Sequence, residues 1–124
     1  MSKSDYQFWR YYKGREFMHL GFEGLVGDEA IIQRCVEGGK ETIKRPDKSV
    51  IALIHIKGAT ITPSAMRIIK KIGLTTQPKF IRSAIIGNTG LVTILIQIYI
   101  SYTGSKMKFF TNYESAMEYL IADE

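Results

Sequence analysis

The stretch Ile85-Ile86-Gly87-Asn88-Thr89-Gly90-Leu91 decides the fold. Two isoleucines end a short predicted strand, Arg82–Ile86, and small polar residues then turn the chain. An almost wholly apolar segment follows, from Leu91 to Tyr102. Its isoleucines favour a strand by propensity, whereas its length and the preceding glycine turn favour a helix. We predict a helix, because parallel strands are normally joined by a helical crossover.

The segments before this turn alternate between strand and helix patterns. The aromatic run 6–12 and the alternating run Glu16–Phe22 flank Lys13-Gly14-Arg15, which predicts an N-terminal β-hairpin. Asp28 is predicted to be the N-cap of a first helix. The β-branched run Val50–Ile56 is typical of a central strand that is buried on both faces.

Two further helices are predicted by their capping residues. Thr62 precedes Pro63, which suits the first position of a helix, and Gly73 is predicted to end that helix. Its apolar stripe consists of Ala65, Ile68, Ile69 and Ile72. Met107–Phe110 is predicted to be a strand, and Thr111-Asn112-Tyr113-Glu114 has the spacing of a capping box before the last helix. The order of elements predicts a single α/β domain over residues 1–124, with a mixed, partly parallel sheet flanked by helices.

Composition narrows the classes of function. The chain has 124 residues, a formal charge of +5 and one cysteine, so no intramolecular disulfide can form. The N-terminal residues lack the pattern of a signal peptide, and the longest apolar stretch is too short to span a bilayer. We therefore expect a cytoplasmic protein without a membrane span. No nucleic-acid-binding motif accompanies the modest positive charge, so no nucleic acid is expected as a partner.

The sequence contains no recognisable catalytic centre. His19 and His55 lie in predicted strands without a cysteine or carboxylate at ligand spacing, so no metal site is expected. Cys35 lies on the apolar stripe of the first helix and is predicted to be a small buried hydrophobic residue. We therefore expect neither a cofactor nor enzymatic activity.

The last third of the chain carries a family resemblance. Its residues are the turn 85–91, the long apolar segment after it, Thr103-Gly104, Lys108-Phe109-Phe110-Thr111, and then Glu114, Ala116, Glu118, Tyr119 and Leu120. This pattern resembles the SpoIIAA-like family, which comprises small bacterial STAS-type domains related in fold to anti-anti-sigma factors and to CRAL-TRIO lipid-binding proteins. The resemblance implies a mixed sheet flanked by helices and a regulatory or ligand-binding role.

The same resemblance raises the question of phosphorylation. True anti-anti-sigma factors present a phosphorylatable serine after an aspartate, at the start of the second helix. Here the matching stretch reads Thr60-Ile61-Thr62-Pro63-Ser64-Ala65, in which the aspartate is missing. Thr62 and Ser64 nevertheless keep hydroxyl groups at this place, which weakens a phospho-switch without removing it.

Two turns at the carboxyl ends of neighbouring strands form a candidate ligand site. Free N–H groups at a helix N-terminus can hold an anionic group there, and hydroxyls from the neighbouring turn could add hydrogen bonds. The alternative is that the glycines serve only a tight turn and that Thr62 serves only as a cap. The candidate residues are Thr60, Thr62, Ser64, Gly87, Asn88, Thr89 and Gly90.

The predicted helix after Gly90 is too apolar for a helix with one solvent-exposed face. One of its faces is expected to meet a second subunit, which predicts a homodimer, or to meet an amphipathic ligand. The alternative is burial beneath the N-terminal aromatic segment that contains Phe8 and Trp9. The residues of this candidate interaction surface are Leu91, Leu95, Ile98, Tyr99 and Tyr102.

Two functions are compatible with these observations. The first is a non-enzymatic regulatory or protein-interaction module of STAS type, with a regulatory protein as a further partner. The alternative is a small carrier or sensor of an apolar, amphipathic or anionic ligand, with the ligand's head group near Gly87–Gly90.

Overall fold

The computed structural model describes residues 6–56, 62–87 and 107–122 of the chain. In chain order the elements of these ranges are β1 (Trp9–Tyr12), β2 (Arg15–Gly21), α1 (Asp28–Ile43), β3 (Val50–His55), α2 (Pro63–Thr76), β4 (Phe80–Ile86), β5 (Met107–Phe110) and α3 (Tyr113–Ile121). A short 3-10 helix, Gln77–Lys79, joins α2 to β4.

The described strands form one sheet in the order β1-β2-β3-β4-β5. β1 pairs antiparallel with β2, and every later pair is parallel. The predicted mixed, partly parallel sheet is therefore confirmed. Met18, Ala52 and Ser83 lie side by side across β2, β3 and β4, and this row places their side chains on one face of the sheet.

The N-terminal hairpin forms as predicted, with a two-residue turn between β1 and β2. Lys13 has φ 49° and Gly14 has φ 80°. Positive φ at both central residues is the geometry of a type I′ turn, whose twist matches that of the flanking strands. Glycine adopts this conformation without a steric cost, which explains why it follows Lys13 here.

The capping of α2 is also as predicted, whereas that of α1 is not. The Thr62 hydroxyl oxygen accepts a hydrogen bond from the Ala65 N–H at 3.1 Å, and Pro63 follows at the first helical position. Gly27, not Asp28, precedes α1, and it provides no side-chain cap. Asp28 does not cap α1, because its carboxylate accepts a hydrogen bond from the Thr62 hydroxyl at 2.6 Å. This hydrogen bond links the starts of the two helices.

The structure corrects three smaller expectations about the helices. α2 continues past Gly73 to Thr76, because the Gly73 carbonyl accepts a hydrogen bond from the N–H of Gln77. Ile68, predicted to lie on the buried stripe, is 42% exposed on the outer side of α2. The N-cap of α3 is Asn112, whose side chain accepts from the N–H of Ser115 at 2.8 Å.

The two faces of the sheet have different helical covers. The face that we call the α3 face carries Phe17, Leu53 and Ala84, which pack against Met117 and Leu120 of α3. The opposite face, here the α1–α2 face, is covered by α1 and α2, and it carries Leu20, Ile54, Ile56, Ser83 and Ile85 among others. Successive residues of β3 and β4 therefore alternate between two separate interiors.

The hairpin is joined to the last helix across the α3 face. Lys13 Nζ lies 2.7 Å from Glu118 Oε2, and both side chains are largely exposed. The Tyr12 ring also meets the Tyr113 ring edge to face, at a centroid distance of 5.8 Å. An exposed ion pair contributes only about 0.2–1 kcal/mol, so the ring contact and the buried side chains beneath it carry most of this junction.

Candidate ligand cavity

A cavity of about 780 Å³ lies between the α1–α2 face of the sheet and the two helices that cover it. This volume is within the range of about 300–1,000 Å³ that small-molecule sites occupy. Most of its lining is apolar. The apolar residues include Met18, Leu20 and Phe22 of β2 and its end, Ile54, Ile56 and Ile85 of the sheet centre, and Met66, Ile69 and Ile72 of α2.

Two adjacent glycines of α1 form part of the cavity roof. A Cβ atom on Gly39 would lie 3.0 Å from Ile72 Cγ2 of α2, and one on Gly38 would lie 3.1 Å from Leu20 Cδ1 of β2. The glycines therefore let α1 approach both neighbours closely. Their backbone atoms also contribute to the cavity lining.

One end of the cavity is polar. Thr42 belongs to the last turn of α1, Thr76 is the last residue of α2, and Ser83 lies in β4. All three line the cavity and are buried. The Thr42 hydroxyl donates to the Gly38 carbonyl at 2.8 Å, and the Thr76 hydroxyl lies 3.2 Å from the carbonyl oxygen of Ile72.

Ser83 differs from the two threonines. It is only 5% exposed, and within the described ranges its hydroxyl has no hydrogen-bond partner. Its register with Ala52 places it on the α1–α2 face, so its side chain points into the cavity. A buried hydroxyl without a partner costs about 1–3 kcal/mol, so Ser83 marks a polar position that the other described residues leave unsatisfied.

Two cationic residues also border this end of the cavity. Lys48 is exposed and lines the cavity, so it stands where the cavity meets the solvent. Arg82 borders the cavity as well, but its Nη1 donates to the main-chain oxygens of Tyr119 and Ala122, at 3.2 and 2.6 Å. Its guanidinium charge is therefore directed to α3. No aspartate or glutamate occurs among the described lining residues.

The residues predicted to bind a ligand are distributed differently from this cavity. Thr62 acts as the α2 cap, Ser64 is exposed one position after Pro63, and Gly87 is half-buried beyond the end of β4. None of these three is among the described residues that line the cavity. Thr60, Asn88, Thr89 and Gly90 lie outside the described residues. The same is true of the predicted interaction surface, Leu91, Leu95, Ile98, Tyr99 and Tyr102.

Gly87 has a structural role of its own. A Cβ atom at this position would clash with Cγ1 of Ile56. The glycine therefore lets the end of β4 pass beside Ile56, in agreement with the alternative interpretation of the turn as a packing device.

The two histidines lie together on the α3 face. Their ring centroids are 6.3 Å apart, and the Tyr6 hydroxyl lies 2.7 Å from Nδ1 of His19. Burial, together with the charges of Arg10, His55 and Arg34, lowers the pKa of His19 to about 4. His19 is therefore neutral at physiological pH and acts as part of a packed aromatic cluster.

This neutral histidine predicts a pH dependence of stability. The unfolded chain binds a proton at His19 near pH 6.5, whereas the folded chain binds it only near pH 4. Stability should therefore be lost as the pH falls through this window, by about 1 kcal/mol after allowance for solvent screening of the partly exposed ring. Urea unfolding between about pH 7 and about pH 5 measures this loss of stability. This pH interval lies above the range in which carboxylates titrate, so they contribute little to the change.

The variant His19→Gln tests whether His19 causes this change of stability with pH, because glutamine keeps a polar group beside Tyr6 but does not titrate. We expect the slope between about pH 7 and about pH 5 to be flatter in this variant. His55→Gln retains His19 and should retain the slope that His19 causes. Equal slopes for His19→Gln and the unmodified protein would show that the assignment is wrong.

Cys35 is buried, as predicted, and it lines the cavity. Burial raises the pKa of its thiol to about 12, so the thiolate that would act as a nucleophile is absent at neutral pH. Across residues 6–56, 62–87 and 107–122, no three histidine, cysteine or acidic side chains come together as a metal site would require. In the same ranges, no helix has the length and apolar character needed to cross a membrane.

Comparison with solved structures places this architecture. The chain is similar to the crystal structure of an uncharacterized protein from the DUF3478 family with a SpoIIAA-like fold, from Shewanella loihica PV-4. The TM-score is 0.67, the sequence identity is 20%, and the match covers 90% of each chain. This chain has a SpoIIAA-like fold. The fold predicted from the sequence resemblance is thereby confirmed.

A scan against protein-family models and a search of curated proteins find no match to the chain. The similarity to a SpoIIAA-like structure therefore describes only the arrangement of helices and sheet. The chemistry of the site has to be argued from the residues of this chain. Sequence analysis did not find Thr42, Thr76 and Ser83, because an isolated hydroxyl in a helix or strand has no distinctive pattern. The one available signal was the pair Gly38-Gly39, since two glycines inside a helix indicate a close approach by a neighbouring element.

Proposed function

We propose that this chain is a non-enzymatic STAS-type module that holds one small apolar or amphipathic molecule in the cavity beneath α1 and α2. The observation that carries the proposal is the size and lining of that cavity, about 780 Å³ with mainly apolar walls. The cavity is partly open to solvent, so its apolar walls face water unless an occupant covers them. Filling it would recover the dispersion and burial energy that the open space forfeits.

The placement of the cavity supports binding over simple packing. Its walls come from four of the five described strands and from both helices of one face, so an occupant would contact most of the fold. Binding would therefore stabilise the folded state by mass action and couple the ligand to the positions of α1 and α2. This coupling is how such a module could act as a sensor as well as a carrier.

The other functional hypotheses from the sequence stay predictions. They are self-association through the surface of Leu91, Leu95, Ile98, Tyr99 and Tyr102, a regulatory protein partner, and an anionic head group at Gly87–Gly90. Ser64 is exposed near the start of α2, where a phosphate would face the positive end of the helix. The cavity proposal is independent of all of these.

An apolar fluorescent probe tests the proposal directly. We expect N-phenylnaphthylamine to bind saturably, with one probe per chain, and to fluoresce more strongly when bound. Ala52 lies on the cavity floor in β3, so Ala52→Phe should fill part of the space and weaken probe binding at least about tenfold. A fluorescence titration measures both quantities.

Ile68→Phe is the matched control, because it adds the same aromatic group on the exposed outer side of α2. This variant should bind the probe as the unmodified protein does. Circular dichroism should show native secondary structure for both variants. Absence of saturable binding, or equal binding by Ala52→Phe and the unmodified protein, would contradict the proposed function.

A further inference from the structure

The unpaired hydroxyl of Ser83 gives the cavity a chemical preference beyond apolarity. It is the one buried polar side chain in the described lining that has no hydrogen-bond partner, and it points into the cavity. A buried hydroxyl that is left unsatisfied favours a ligand group that can pair with it. The remaining polar groups at this end decide whether that ligand group should donate, accept or carry charge.

The two threonines at this end offer acceptors only. The Thr42 hydroxyl proton is used by the Gly38 carbonyl, and the Thr76 hydroxyl lies within hydrogen-bond distance of the Ile72 and Gly73 carbonyls. Their oxygen lone pairs remain available. Thr42 and Thr76 also stand at the ends of α1 and α2, where the helix dipoles place partial negative charge. A hydrogen-bond donor is therefore favoured here over a carboxylate.

A cationic donor is disfavoured as well. No carboxylate is present among the described lining residues to pair with a buried ammonium group, and the nearest exposed charge at the mouth is the cationic Lys48. An unpaired charge inside an apolar cavity is far more costly than a neutral polar group. The group that suits these surroundings is a neutral hydroxyl, which can donate a hydrogen bond to the Ser83 oxygen or accept one from the Ser83 hydroxyl.

We infer that the cavity selects an apolar molecule carrying one neutral hydroxyl group, and that Ser83 is the side chain that recognises this hydroxyl. The inference rests on the proposed function, because it names the class of molecule that the same cavity holds. The apolar body of the ligand then lies against the isoleucines of β3, β4 and α2. Its hydroxyl lies beside Ser83 of β4.

A series of ten-carbon compounds that differ only in the terminal group tests this preference. Decan-1-ol, decyl methyl ether, decanoate and decylammonium are titrated against the protein that has N-phenylnaphthylamine bound. We expect decan-1-ol to displace the probe about fivefold to tenfold more effectively than the ether, which lacks the donor, and than either charged compound. Equal displacement by the alcohol and the ether, or stronger displacement by decanoate, would overturn the inference.

Ser83→Ala assigns the preference to this side chain. The variant should bind decan-1-ol about fivefold to tenfold more weakly and decyl methyl ether nearly as before. Without ligand its Tm should rise by about 2–4 °C, because an unsatisfied buried hydroxyl has been removed. Ser83→Thr keeps the hydroxyl and should keep the preference for the alcohol.

The control is Ser115→Ala, the same chemical change at an exposed serine of α3 outside the described cavity lining. It should alter the affinity for decan-1-ol by less than about twofold. Unchanged affinity in Ser83→Ala, or a fall of its Tm, would contradict the role of Ser83. If the probe itself does not bind the unmodified protein, the proposed function fails, whereas probe binding without discrimination between the alcohol and the ether refutes only the present inference.

Discussion

Replacing Leu53 by alanine should lower the free energy of unfolding by about 3–4 kcal/mol. Leu53 is fully buried on the α3 face, where it packs in one cluster with Phe17, Met117 and Leu120. Its removal would leave a void in a core whose walls come from the sheet and from α3, and such walls collapse only partly. Chemical denaturation with a fixed m-value measures the loss.

Ile54→Ala is the matched comparison, because Ile54 is the next residue of β3 and its side chain lies on the opposite face. Ile54 borders the cavity and is only partly buried, so its truncation enlarges a space that already exists. We expect a loss of about 1–2 kcal/mol for this variant. A loss as large as that of Leu53→Ala would show that the α1–α2 face is packed as tightly as the α3 face.

Ala84→Leu should destabilise the protein by about 3 kcal/mol, whereas Ala52→Leu should change its stability by less than about 1 kcal/mol. Both alanines are buried in the middle of neighbouring strands, and both substitutions add the same atoms. Ala84 belongs to the packed cluster beneath α3, where three extra carbon atoms find no room. Ala52 belongs to the cluster of Phe8, Met18 and Val50 but also borders the cavity, into which the added side chain can extend and gain burial.

Thermal and urea unfolding of the two variants, side by side, check this contrast. Similar destabilisation by both substitutions would mean that the space over Ala52 cannot admit a side chain, and would count against the proposed cavity. Greater stability of Ala52→Leu than of the unmodified protein would agree with a core that is underfilled in the absence of a ligand. With bound probe, the difference in unfolding free energy between Ala84→Leu and Ala52→Leu should become smaller. The probe stabilises Ala84→Leu, whose cavity is open, but not Ala52→Leu, whose cavity is partly filled.

The sequence predicted those parts of the fold that depend on neighbouring residues. The turn at Lys13-Gly14, the cap at Thr62 with Pro63 and the β-branched run of β3 each carry a local signal. The family resemblance then implied a mixed sheet flanked by helices, and the SpoIIAA-like fold is confirmed at 20% sequence identity. Local chemistry and the resemblance led to the same architecture.

The features that sequence analysis missed depend on residues far apart in the chain. Asp28 was predicted to cap α1, but its carboxylate binds the hydroxyl of Thr62, which lies 34 positions later. Ser83 has no local pattern, because its isolation follows from the way in which α1 and α2 pass over β4. A glycine inside a helix weakens it, yet the structure uses Gly38 and Gly39 where α1 packs closely against α2 and β2.

The junction between the hairpin and α3 has a consequence for biosynthesis. Lys13 and Glu118 are separated by 105 positions, and the helix that contains Glu118 follows all the described strands along the chain. A ribosome therefore releases the sheet before it releases the cover for Phe17 and Leu53. Until α3 emerges, this apolar surface is open to water, to chaperones and to other nascent chains. The contacts that complete the α3 face are thus long-range contacts, which typically slow folding, and they form only after α3 has been synthesised.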